Sequence, residues 1–63
     1  MMTKDEFVSA AQKLYGYNWR PRVAILFHKD PSSIRRWVSG KTAVPVPVEQ
    51  TLRAMLRIKE MQG

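Results

Sequence analysis

The chain has 63 residues, a net charge of +6, one histidine and no cysteine. That length allows one domain, 1–63, with a small core, and the lack of cysteine excludes disulfides and, with a single histidine, a zinc site, so we expect no metal or other cofactor. The longest apolar run, VAILF at 23–27, cannot span a bilayer, and the first residues lack the apolar core of a signal peptide, which favours a cytoplasmic protein without a membrane partner.

The first helix is predicted over Lys4–Tyr15. Thr3 and Glu6 have the spacing of a capping box, in which each side chain accepts a hydrogen bond from the other residue's backbone N–H. Gly16 is expected to end the helix in the left-handed conformation. Apolar residues recur at helical spacing on one face, which comprises Phe7, Ala10, Ala11 and Leu14.

The second helix is predicted to begin near Pro21, because a proline costs little in the first turn of a helix. Tyr17 and Trp19 precede it and are expected to pack against its start. Pro31 disfavours helical geometry at the residue before it, so the second helix must end shortly before this proline. Its apolar face comprises Val23, Ala24 and Phe27.

The third helix is predicted over 31–38, with Asp30 as its N-cap and Gly40 close to its end. Trp37 is interpreted as a core residue and not as an exposed platform for base stacking. Trp37 and Phe27 are therefore expected to hold this helix in place. The side chains expected to face the core are Ile34, Trp37 and Val38.

The fourth helix is predicted over 47–61, after a connector at 42–48 whose two prolines favour an extended backbone. Its apolar stripe comprises Val48, Leu52, Met55 and Leu56. No segment has the pattern of a β-strand. The sequence therefore predicts an all-α fold, a compact four-helix domain.

The segment 20–39 resembles the helix-turn-helix of the lambda-repressor and Cro family of small bacterial and phage transcriptional regulators. Ala24 matches the small residue that this family places where its two helices cross, and the ending RRWVSGKTAVP is similar to the family's. His28 stands where the family usually has glycine, and Lys29 where it usually has an apolar residue. Histidine tolerates left-handed geometry better than most residues, so we expect the turn to form. The resemblance implies a domain that binds double-stranded DNA.

The positive charge is concentrated in the same part of the chain, since residues 20–41 carry six of the eleven bases and one of the five acids. Such clustering is typical of a protein that binds a polyanion, although a basic surplus can also serve solubility alone. Arginines on an exposed helix face can bind guanine in the major groove of DNA. The candidate base-reading residues are Pro31, Ser32, Ser33, Arg35 and Arg36. The candidate phosphate contacts are Arg20, Arg22, Ser39, Lys41 and Thr42.

We expect a homodimer on an inverted-repeat operator, because one domain of this size offers few contacts to DNA. The candidate dimer interface is Met55, Ile58 and Met61, although the last two suit a frayed helix surface equally well. His28 is interpreted as a turn residue, because no second histidine, cysteine or pair of acids is placed to act with it in metal binding or catalysis.

The function predicted from the sequence is that of a sequence-specific regulator of transcription. A chain this compact suits a phage or mobile-element repressor that acts by occupying an operator, such as an autorepressor or a regulator associated with anti-CRISPR genes. The alternative is an antitoxin or a DNA-binding subunit whose main partner is another protein. RNA binding ranks lower, because no basic sheet with interleaved aromatics is expected. The chain has no nucleophile–base pair, so it is not expected to be an enzyme or to bind a small-molecule ligand.

Overall fold

The computed structural model describes residues 1–62, and all regular structure in these residues is helical. The all-α prediction is therefore confirmed. No helix in this part of the chain combines the length and the apolar composition needed to cross a membrane. The elements in chain order are α1 (Lys4–Tyr15), a 3-10 turn (Gly16–Asn18), α2 (Trp19–Leu26), α3 (Pro31–Ser39) and α4 (Val46–Gln62).

Helix α1 has the bounds and the capping box that the sequence predicts. The Thr3 backbone N–H donates to the Glu6 carboxylate at 2.9 Å, and the Glu6 N–H donates to the Thr3 hydroxyl at 3.1 Å. Gly16 ends the helix with φ 75° and ψ −146°, so its φ is positive but its ψ lies outside the left-handed helical region. The prediction of a left-handed stop is corrected in this respect. The different ψ directs the chain into the 3-10 turn.

Because of the capping box, the stability of the fold is expected to decrease at acid pH. The hydrogen bond from the Thr3 backbone N–H, then the Thr3 side chain and the charge of Arg53, lower the pKa of Glu6 below its ordinary value. A depressed carboxyl pKa stabilises the fold above the unfolded-state pKa of about 4.3, and this contribution is lost as the pH falls through the folded-state pKa.

We therefore expect Glu6→Gln to reduce the loss of thermal stability on acidification, since the variant has no proton to gain. Thermal melts by circular dichroism across acid pH test this. Glu60→Gln is the matched control, because Glu60 is exposed and has no hydrogen bond or ion pair within residues 1–62. If both variants lose as much thermal stability at acid pH as the unmodified chain does, the expectation is contradicted.

Helix α2 begins at Trp19, two residues before the proline that was expected to mark its start. Trp19 is buried and packs edge-to-face on Phe7, with ring centroids 5.5 Å apart. Tyr17, in contrast, is fully exposed at 101%. The expectation that both aromatics pack against the start of α2 is wrong, because the 3-10 turn directs Trp19 into the core and Tyr17 into solvent.

Helix α3 is fixed to the core by its apolar face, as predicted. Ile34 and Trp37 are buried and Val38 is half-buried, and the Trp37 ring packs edge-to-face on Phe7 at 5.6 Å. Asp30 occupies the N-cap with extended geometry, but its side chain makes no capping bond. Its backbone carbonyl instead accepts from the N–H groups of residues 33 and 34. Phe27 is only half-buried, so the central aromatic of the core is Phe7.

Helix α4 begins at Val46, so the extended connector is shorter than the predicted 42–48. Pro47 stands in the first turn, where a helix does not use the backbone N–H that proline lacks. Val48 and Leu52 are buried, while Met55 and Leu56 are half-buried. The backbone of α4 packs on α1 alone, whereas α1 also contacts α2 and α3.

Two apolar residues outside the helices complete the core, and the sequence patterns did not predict either of them. Met2 and Val44 are each 5% exposed. The Met2 backbone N–H donates to the Glu49 carboxylate at 3.1 Å, and Arg53 binds the same carboxylate at 3.0 Å. These contacts close the side of the molecule formed by α1 and α4. The solvent-facing side of α3 is left uncovered.

Candidate nucleic-acid interface

The exposed side of α3 gathers basic and hydroxyl side chains around one shallow depression. We call this surface the basic face and define it as Ser32, Arg35, Arg36, Ser39 and Lys41. All of these residues are exposed except Ser32, which is half-buried. Four predicted site residues from one helix and one from the segment after it therefore share a single surface.

The basic face is held rigidly, because the opposite side of α3 belongs to the core. Ile34 and Trp37 are 2% and 4% exposed, and rotation of α3 about its axis would expose both of them. Burial of side chains of this size contributes about 1.5–3 kcal/mol each. The arginines of α3 therefore project from a fixed backbone.

A Schellman motif ends α3 and fixes Lys41 beside Arg36. Gly40 has φ 80° and ψ 6°, the left-handed conformation. The Gly40 N–H donates to the Trp37 carbonyl at 3.3 Å, and the Lys41 N–H donates to the Arg36 carbonyl at 3.0 Å. The two positions that Arg36 and Lys41 occupy in this motif commonly carry apolar residues in contact. Here they carry two cations.

Ser39 supports the same cap. Its hydroxyl donates to the Arg36 carbonyl at 3.1 Å and accepts from the Lys41 N–H at 3.4 Å. The Thr42 N–H also donates to the Arg36 carbonyl, at 3.3 Å. The Ser39 hydroxyl therefore orients the chain that carries Lys41, in addition to lying on the exposed surface.

A groove between α2 and α3 adjoins the basic face and brings Arg20, Pro31 and Arg35 together. Ala24 and Ile34 also line the groove. The Arg20 guanidinium lies over the Trp19 ring, 5.4 Å from its centroid, which restricts where it can point. Arg35 borders both this groove and the depression on α3.

Three predicted site residues lie apart from these two surfaces. Arg22 borders a separate depression with Tyr15, Ile25 and Leu26. It stands two positions from Arg20, and residues with that spacing do not share a helix face. Thr42 is exposed but does not border either surface, and Ser33 is half-buried and borders neither.

The turn between α2 and α3 has the geometry expected of its histidine. His28 has φ 53°, the positive value that its place in the turn requires. The Lys29 N–H donates to the Ala24 carbonyl at 2.9 Å, which ties the turn to α2. Lys29 is exposed, so a polar residue at this position disturbs no apolar packing.

The Lys and Arg side chains of residues 20–41 have no ion-pair partner within residues 1–62. The three ion pairs within residues 1–62 all involve Glu6 or Glu49 and lie on the side formed by α1 and α4. The positive charge around α3 is therefore not neutralised by the acids of the described chain. Within the same residues, no group of three or more His, Asp or Glu side chains could hold a metal ion.

Two features near the interface were missed by sequence reasoning. The Lys4 side chain crosses Gly40, and its Cδ lies 3.1 Å from the position that a Cβ on Gly40 would occupy. Ile25 is 74% exposed, and with the half-exposed Leu26 it makes an apolar patch on α2. The Lys4 contact is tertiary, so no local pattern predicts it. The outward position of Ile25 could have been inferred, since it does not share the face of Val23 and Phe27.

The candidate dimer residues lie on α4, whose backbone does not contact α3. Met55 is half-buried, while Ile58 and Met61 are 54% and 80% exposed.

No protein-family model, curated protein sequence or solved structure matches this chain.

Proposed function

We propose that this chain is a sequence-specific regulator of transcription that binds double-stranded DNA through a helix-turn-helix of the lambda-repressor and Cro type. The helix-turn-helix is formed by α2, the turn at His28 and α3. The observation that carries the proposal is the basic face, which sets two arginines and a lysine on the uncovered side of a helix whose other side is locked in the core.

The dimensions and the side chains of α3 support its proposed insertion into the major groove. The major groove of B-DNA is about 12 Å wide and admits one α-helix. An arginine there can donate two parallel hydrogen bonds to O6 and N7 of guanine. Arg35 and Arg36 are the proposed base-reading residues, with Pro31, Ser32 and Ser33 at the front of the helix.

The phosphate backbones are proposed to lie along the two sides of α3. Arg20 projects from α2 on one side, and Lys41 follows the cap of α3 on the other, next to Ser39 and Thr42. Because the ion pairs of residues 1–62 leave these cations unneutralised, DNA phosphates would supply the missing counter-charge, with release of the salt ions that surround them. Arg22 lies on another side of α2 and can contribute only at the periphery.

Operator occupancy is the proposed mode of regulation. A small domain of this kind can exclude polymerase from a promoter without a ligand-sensing domain, which suits a cytoplasmic repressor of a phage or mobile element, including an autorepressor or an anti-CRISPR-associated regulator. The alternative is an antitoxin or a DNA-binding subunit whose main partner is a protein. The apolar patch formed by Ile25 and Leu26 favours that alternative, because a protein partner would cover it.

Selection from random duplex DNA tests the proposal. The isolated chain should enrich one short motif from the pool, and a duplex carrying that motif should bind more tightly than a scrambled duplex of equal length. Equal retention of all duplexes, or tighter binding to single-stranded RNA, would refute sequence-specific recognition of DNA. Specific binding by the chain alone would count against a role that depends on a protein partner.

We expect the enriched motif to be an inverted repeat bound by two chains, with half-sites about 34 Å apart. The proposed interface is Met55, Ile58 and Met61. Ile58→Glu should abolish cooperative binding and weaken operator affinity by about 100-fold, because the second chain would no longer bind as part of a linked pair. Titrations and sedimentation of the complexes measure both quantities. Gln50→Glu is the matched control, since it adds the same charge at an exposed position of α4 outside the proposed interface. Binding of one chain to an unrepeated site would contradict the dimer.

A further inference from the structure

We propose that Lys4, at the start of α1, binds a DNA phosphate together with Lys41 and so extends the basic face onto a second helix. The inference rests on the proposed function, because it needs a duplex seated against α3. Lys4 lies outside the basic segment at 20–41, and its position in the sequence gives no reason to place it near α3.

The contact between Lys4 and Gly40 places this side chain at the edge of the basic face. Lys4 Cδ is 3.1 Å, and its Nζ 3.9 Å, from where a Cβ on Gly40 would stand. Gly40 has no Cβ, so the methylene stem of Lys4 can lie over the cap of α3. The ammonium group is thereby held over Gly40, the residue that precedes Lys41.

The ammonium group of Lys4 is not used inside the described part of the chain. Lys4 makes no side-chain hydrogen bond and no ion pair within residues 1–62. Glu6, two residues along the chain, is already engaged by the Thr3 N–H and by Arg53 at 3.7 Å. An incoming anion can therefore take all the hydrogen-bond donors of Lys4.

The negative end of the α3 dipole attracts this ammonium group but leaves its hydrogen-bond donors unused within residues 1–62. The Arg36 carbonyl already accepts from the Lys41 and Thr42 N–H groups and from the Ser39 hydroxyl, and the Trp37 carbonyl accepts from the Gly40 N–H. Lys4 also stands in the first turn of α1, where the helix dipole disfavours a cation. Lys4 therefore adds a second lysine beside Lys41 at the end of α3. A phosphate bound by both lysines would offset their mutual repulsion.

The test compares Lys4→Gln with Lys13→Gln. Both substitutions remove one positive charge from α1, but Lys13 borders the groove between α1 and α4, on another side of the helix from Gly40. Affinity is measured across a salt series on the selected motif and on a scrambled duplex. Lys4→Gln should weaken both duplexes alike and reduce the slope of log affinity against log salt by about 0.9 per chain. Lys13→Gln should leave the slope unchanged, and Lys4→Arg should retain it.

A double variant tests whether the two lysines share one phosphate. If they do, Lys4→Gln combined with Lys41→Gln should lower the slope by less than the sum of the two single changes. Equal slopes for Lys4→Gln and Lys13→Gln, or full additivity with Lys41→Gln, would overturn the shared phosphate contact while leaving DNA binding intact. Absence of duplex binding by the unmodified chain would overturn the proposed function and this inference with it.

Discussion

Phe7→Ala should leave the chain largely unfolded at room temperature. Phe7 is fully buried and packs edge-to-face on both Trp19 and Trp37. Removing a buried aromatic ring costs about 3–5 kcal/mol, and each aromatic pair adds about 0.5–1.5 kcal/mol beyond its buried area. A domain of this size has a total stability near 5 kcal/mol. The loss of Phe7 therefore removes most of the free energy of unfolding.

Far-UV circular dichroism during a thermal melt measures this effect. Trp37→Ala should behave in the same way, whereas Phe27→Ala should cost less, because Phe27 is only half-buried. Tyr17→Ala is the matched control, since its ring is fully exposed, and it should melt as the unmodified chain does. A cooperative melt of Phe7→Ala at the unmodified midpoint would show that the aromatic cluster does not support the fold.

Arg36→Ala should remove discrimination between operator and scrambled DNA at one base position in each half-site. Loss of a bidentate contact to guanine costs about 1–3 kcal/mol, which corresponds to about 5-fold to 150-fold in operator affinity. Binding to a scrambled duplex should change little, because a base-reading side chain contributes little there. Arg35→Ala should relax a second position, since Arg35 projects from the same side of α3 toward the groove with α2.

Repeating the selection with each variant, together with salt titrations, separates base reading from phosphate binding. Arg20→Ala should weaken both duplexes alike and reduce the salt slope by about 0.9 per chain. Arg57→Ala is the control for charge alone, because Arg57 is exposed on α4, away from α3, with no ion pair in residues 1–62. If Arg36→Ala weakens binding to both duplexes equally, Arg36 binds a phosphate, and α3 does not read a base through this side chain.

Local sequence signals predicted the elements whose ends are set by local chemistry. The capping box of Thr3 and Glu6 located the start of α1 to the residue, and Asp30 with Pro31 did the same for α3. Helical spacing also predicts the buried and exposed sides of α3, and with them the residues that this helix contributes to the basic face. α4 begins one residue before its predicted start, because proline is compatible with more than one place in a first turn.

The remaining features depend on contacts between distant parts of the chain. Met2 and Val44 are buried, yet neither belongs to a periodic pattern. The inward position of Trp19 results from the rotation that the 3-10 turn adds between α1 and α2, which Gly16 alone does not reveal. Lys4 reaches the cap of α3 only because α1 crosses it. Arg20 and Arg22 are close in sequence, but a helix places residues two positions apart on different faces.

The contacts of α1 with each of the other helices have a consequence for genetics. The backbone of α4 approaches α1 alone, and Phe7 is the ring on which both Trp19 of α2 and Trp37 of α3 rest. Substitutions at the buried positions of α1, which include Ala10 and Ala11, would disturb the helix on which the other three pack. A screen for loss-of-function alleles would therefore recover changes in α1 as readily as changes in α3, and position in the gene alone would not separate failure to fold from failure to bind.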